Sequence, residues 1–150
     1  LEQPLHQGAR CQMGAITDAL PADFEEEDKP STAFVAKLRG ALIKEIMEKE
    51  IFTSVSEDLA ESEYELSGSI LDYKKGSGFL RFLFGAFAGG SKLTVELSLT
   101  ERGTGEVVFS GNFSQVVTSW AEASDDTCEK LAKDFAKALE KQIEKQVYTD

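Results

Sequence analysis

Leu93-Thr94-Val95-Glu96-Leu97-Ser98-Leu99-Thr100 alternates apolar and polar residues without a break. That period of two puts Leu93, Val95, Leu97 and Leu99 on one face of a strand and leaves the other face wet. Arg102-Gly103-Thr104-Gly105 follows and supplies a glycine-containing hairpin loop. Beyond it, Val107, Phe109, Phe113 and Val117 share one face of a further strand, with Gly111 interrupting. Upstream, Tyr64, Leu66 and Ile70 repeat the arrangement around Gly68. We read Gly68 and Gly111 as facing each other, leaving room for a closely packed helix or a bend. Strands with one wet face need something apolar to cover the other.

Two helical stripes answer that need. From Ser31 to about Glu50, Phe34, Leu38, Leu42 and Ile46 recur every four residues, joined by Val35, Ala41 and Met47. Lys37, Lys44, Glu45, Glu48 and Lys49 fall on the remainder of that helix, and Pro30 stands where it would start. After Ser124 as a cap, with Asp125 and Asp126 in the first turn, a second stripe runs through Cys128, Leu131, Ala132, Phe135, Ala138, Leu139, Ile143 and Val147. Cys11 to Thr17 reads as a first strand and Ile51 to Val55 as a short second one. Pro21 and the acidic run Glu25 to Asp28 mark a loop whose acids read as a solvated cap rather than a calcium site. The order β-α-β-β-β-β-α predicts an α+β fold. It is a mainly antiparallel sheet of about five strands with both long helices packed on one face.

Length and charge bound the function. The chain has 150 residues, the size of one domain. We divide it into a flexible leader over 1–8 and a single α/β domain over 9–150. Sixteen basic against 27 acidic residues leave a net charge of −11, which repels nucleic acid. No apolar run approaches the roughly 20 residues of a membrane-spanning helix. The one histidine, His6, lies in the leader, where nothing would hold its ring for a nucleophile–base pair. Cys11 and Cys128 stand alone, without the spacing of a zinc site. A disulfide between them and two buried thiols both remain open. Gly76-Ser77-Gly78 lacks the Gly-Lys-Ser/Thr ending of a phosphate loop. The expectation is a non-catalytic protein with no cofactor and no metal.

One segment departs from the acidic background. Between Tyr73 and Val95 there is no acidic residue, while Lys74, Lys75, Arg81 and Lys92 are all basic. The same stretch holds Phe79, Leu80, Phe82, Leu83, Phe84 and Phe87, set among glycines. Each such side chain gains roughly 1.5–3 kcal/mol on burial, so six left in water would lose on the order of 10 kcal/mol. Either the segment folds onto its own core, or it docks elsewhere. The docking reading assigns Lys74, Lys75, Phe79, Leu80, Arg81, Phe82, Phe84, Phe87 and Lys92 to a contact with a protein groove or an anionic membrane surface.

Gly78-Phe79-Leu80-Arg81 through Gly85 and Gly89-Gly90-Ser91, running into Leu93-Thr94-Val95-Glu96-Leu97 and then Thr104-Gly105-Glu106-Val107-Val108, resembles the domain-of-unknown-function 4410 family of bacterial proteins. The resemblance covers most of Tyr64 to Phe113. Members are mostly secreted lipoproteins of Gram-negative bacteria, so it implies a periplasmic domain tethered by a lipidated cysteine upstream of Leu1. No lipobox or signal lies within the sequence itself. At fold level the family is similar to small α/β domains of envelope lipoproteins that bind proteins or assemble into rings. The resemblance implies no catalytic residue. The function expected is a periplasmic or outer-membrane-tethered binding or assembly domain, with a protein partner and a homo-oligomer among its contacts. The alternatives are a lipid- or cell-wall-contacting domain, or an enzyme marked by a deep pocket of paired carboxylates.

Overall fold

The computed structural model describes residues 9–25, 29–58, 61–74, 91–117 and 124–149. The elements run β1 (Arg10–Asp18), α1 (Thr32–Glu48), β2 (Ser54–Ser56), β3 (Tyr64–Lys74), β4 (Ser91–Glu101), β5 (Val107–Val117) and α2 (Ser124–Thr149). They form one five-stranded sheet in the order β2-β1-β3-β4-β5. The two long ladders, β3 with β4 and β4 with β5, are antiparallel. Strand β1 is parallel to both its neighbours, because α1 carries the chain back before β2 is laid down. This is the α+β sheet with two helices that the element order implies.

The alternation at 93–100 is realised residue by residue. Leu93, Val95, Leu97 and Leu99 are buried, as are Leu66 and Ile70 on β3 and Leu38, Leu42 and Ile46 on α1. Helix α2 contributes Leu131, Phe135 and Leu139, and the two helices pack on each other and on the sheet. Phe135 meets Phe113 edge-on with ring centres 5.2 Å apart, and Phe109 at 5.7 Å. At the far side Phe52 stacks obliquely on Tyr64 at 5.7 Å.

Local chemistry sets the boundaries. Ser31 caps α1, its hydroxyl accepting from the Phe34 N–H at 3.0 Å, so Pro30 stands one residue before the cap rather than in the first turn. Glu50 reverses the chain with φ at 56°, and strand pairing resumes only at Ser54, later than Ile51. Val107 leaves the apolar face. Leu99 opposes Phe109 but Thr100 opposes Val107, so Val108 is a bulge residue and Val107 turns outward, 53% exposed. On α1, Glu45 and Met47 exchange the expected places. Glu45 sits three residues past Leu42 on the buried stripe and is 4% exposed, whereas Met47 is 39% exposed.

Gly68 and Gly111 do not face each other. They flank Leu97 from the two neighbouring strands, both paired with it in register. A Cβ at Gly68 would stand 2.8 Å from the Glu96 carbonyl oxygen and 2.8 Å from Leu97 Cδ2. The glycine is where the Leu97 side chain lies against the neighbouring backbone.

Cys11 and Cys128 are both buried and are not joined by a disulfide. Burial pushes the Cys11 thiol from 9.0 up to about 12. An unfolded chain releases this proton near 9 and the folded one near 12, so the stability this difference gives is complete below about pH 9 and lost as pH climbs to about 12. Iodoacetamide at pH 8 is expected to leave Cys11 unmodified in the native protein and to label it rapidly in denaturant. Mass spectrometry of the labelled peptide reads the difference.

Candidate interaction surface

The antiparallel ladder of β3 and β4 sets Lys74 directly opposite Lys92 at one end of the sheet. On β4, Lys92 Nζ lies 2.9 Å from Asp72 Oδ2. Lys92 is exposed. The structure thus brings together two of the nine residues singled out in the sequence. The other seven, Lys75, Phe79, Leu80, Arg81, Phe82, Phe84 and Phe87, lie outside the described residues, as do the 1–8 leader and most of the Glu25 to Asp28 run.

The sheet face turned away from the helices is a carpet of small hydroxyls. Thr94 and Ser114 share a hydrogen bond of 2.9 Å, and Thr17 and Ser69 one of 3.3 Å. Between them an open groove of about 320 Å³ runs over Ser67, Ser69 and Ser98, with Glu65 and Glu96 along it. Arg102 enters this face, 3.8 Å from Glu65 and hydrogen-bonded to Gln12. The groove offers hydroxyls and carboxylates to solvent, a surface for polar contacts. Among the described residues, no three His, Cys, Asp or Glu side chains are grouped as they would be around a metal ion. Among the same residues, no helix is long and apolar enough to cross a membrane.

The two edges of the sheet differ. Strand β2 covers β1 only from Arg10 to Gln12. Where it stops, Arg39 reaches down from α1: Nη2 donates to the Met13 carbonyl at 3.0 Å and Nε to the Gly14 carbonyl at 3.1 Å. Its Nη1 lies 3.3 Å from Glu57, which holds the guanidinium in place. Arg10 secures the loop beyond β2. Its backbone N–H donates to Glu63 at 2.7 Å, which lowers the Glu63 pKa, and its guanidinium bonds the Glu61 carbonyl at 2.9 Å. At the opposite edge, β5 runs 11 residues with no outer strand among the described residues. Periodicity identified Phe109 and Phe113 as inward residues of β5, but misplaced Val107 and did not show the strand's edge position, which depends on pairings distant in sequence. The available signal was the absence of any charge from Val107 to Val117.

Comparison with known proteins returns one family and several solved structures of similar fold. Residues 11–123 match the family described as Domain of unknown function (DUF4410). No curated protein matches. Among solved structures, the chain is similar to PelC of Paraburkholderia phytofirmans, a dodecamer, at 15% identity and a TM-score of 0.69, covering 91% of this chain and 90% of that one. A second PelC dodecamer from the same organism aligns with a TM-score of 0.64 at 15% identity, covering 88% and 89%. A Xanthomonas campestris protein of the DUF330 family aligns with a TM-score of 0.55 at 12% identity, covering 98% and 92%. At these identities the likeness shows a shared fold.

Proposed function

The chain belongs to the family described as Domain of unknown function (DUF4410), and from that premise we propose that it is a non-catalytic assembly domain of the bacterial envelope. On this reading it is periplasmic, tethered by a lipidated cysteine upstream of Leu1, and grips an acidic protein partner with the Lys74–Lys92 end of its sheet. The observation that carries the reading is the register of those two lysines. The backbone register sets two lysines opposite each other in a chain of net charge −11. Such a pair favours an anionic group brought by a partner, and its long-range attraction would steer that partner to one end of the sheet. The similarity in fold to a dodecameric protein supports an assembly role.

The test reverses the charges. Lys74→Glu with Lys92→Glu is expected to reduce protein cross-linked from a native membrane fraction by about tenfold or more, with the unfolding midpoint close to that of the wild type. Undiminished capture by the double variant would refute the lysine site. A second reading is favoured by the same lysines, namely contact with an anionic lipid surface. Vesicles of phosphatidylglycerol would then co-sediment the wild type at low salt and release it at high salt, because ions screen the attraction. Absence of sedimentation at low salt would eliminate it.

A further inference from the structure

Strand β5 has the composition of an interface, and among the described residues the bulge at Val108 is the one device on it that keeps a sheet edge solitary. Exposed edges are ordinarily blunted by lysine, proline, shortness or a cover. The β1 side is treated in that way, with a short β2 and then Arg39 on the carbonyls of Met13 and Gly14. Strand β5 runs Val107-Val108-Phe109-Ser110-Gly111-Asn112-Phe113-Ser114-Gln115-Val116-Val117, with no charge and no proline. Its one irregularity among the described pairings is the bulge at Val108. Two of the three large apolar residues exposed among those described, Val107 and Val116, lie on it, Val116 at 61%.

The strand is also nearly symmetric about its middle. Laid antiparallel on a second copy with Asn112 on the two-fold axis, Ser110 meets Ser114, Val108 meets Val116, and Asn112 meets Asn112. From Ser110 to Ser114 the ladder with β4 is regular, so no bulge interrupts the edge there. Because the chain carries −11, self-association needs a surface where no carboxylates are driven together, and β5 supplies one. We propose that β5 pairs antiparallel with β5 of a second copy about Asn112, joining two sheets into one of ten strands with all four helices on the same side. The proposal rests on the reading of this protein as an assembly domain and names one of its contacts. An isologous pair of this kind closes as a dimer.

Cysteine cross-linking tests the register. Both native thiols are buried, so an added surface cysteine is the reactive one. Residues opposed across an antiparallel pair have Cα atoms about 4.5–5.5 Å apart, within disulfide range. Asn112→Cys is therefore expected to give a disulfide-linked dimer as the main species under mild oxidation. Glu96→Cys is the control. Glu96 pairs with Asn112 from one strand further in, which puts the two copies of residue 96 about 14 Å apart and out of reach. In an uncross-linked protein, Ser110→Lys with Ser114→Lys would oppose lysines across the axis and weaken the dimer by about tenfold or more in sedimentation. A wild type that stays monomeric in sedimentation overturns the proposal, as does equal cross-linking at 112 and 96. Either result leaves the lysine test of the assembly reading standing, since that one reads partner capture by Lys74 and Lys92.

Discussion

Phe135→Ala is expected to lower the unfolding free energy by about 3–5 kcal/mol, read as a shift in denaturant midpoint at constant slope. The ring is fully buried and forms the joint between α2 and the edge strand β5. It touches Phe113 edge-to-face, an arrangement worth about 0.5–1.5 kcal/mol beyond area alone, and Phe109 at a tilt. Removing it takes away the transfer energy of a benzyl group and opens a void. Phe109 and Phe113 on β5 then lose their ring partner on α2. Phe135→Leu keeps most of the volume and is expected to cost about 1–2 kcal/mol. A loss below about 1 kcal/mol for alanine would mean that α2 is not seated on β5 through this ring. Because β5 hangs on this contact, the variant loosens the edge proposed to pair with a second copy. Edge lysines and Asn112→Cys are the cleaner probes of pairing for that reason.

How far the sequence carried this architecture differs from element to element. Leu93 to Thr100 was legible because a two-residue period is a local property, and the helical stripes of α1 and α2 for the same reason. Pairing is not local. Nothing in Cys11 to Thr17 says that its neighbours will be β2 and β3, both parallel. Nor does the spacing of Gly68 and Gly111 show that Leu97 stands between them. The bulge at Val108 displaced Val107 by one position, which in a strand is enough to change its face. The candidate site was legible at its two ends, Lys74 and Lys92, whose opposition follows from the β3–β4 register. The β5 edge went unread because an uncharged strand becomes informative only once it is known to have no outer neighbour.

Glu45 is the residue whose charge most misled the sequence reading, and replacing it is expected to stabilise the protein. It lies on the buried stripe of α1 with Leu38, Leu42 and Ile46, and its Oε2 accepts no hydrogen bond among the described residues. A carboxylate drawn out of water is costly unless its oxygens are paired. Helix geometry gives the side chain no alternative, since three residues past Leu42 is the same face. Glu45→Met keeps the length of the side chain and the helix propensity while replacing the carboxylate with a thioether that packs well in an apolar interior. We expect a gain of about 1–3 kcal/mol in unfolding free energy, the order of the desolvation penalty of a buried polar group left without a hydrogen bond. Glu45→Gln removes the charge but retains two polar atoms that also need partners, so its gain should be smaller. The order Met above Gln above Glu is the test, measured by chemical unfolding at neutral pH. If Glu45→Met instead costs several kcal/mol, a cation or donor holds the carboxylate in the folded state. The residue would then be a tie between α1 and whatever supplies that group.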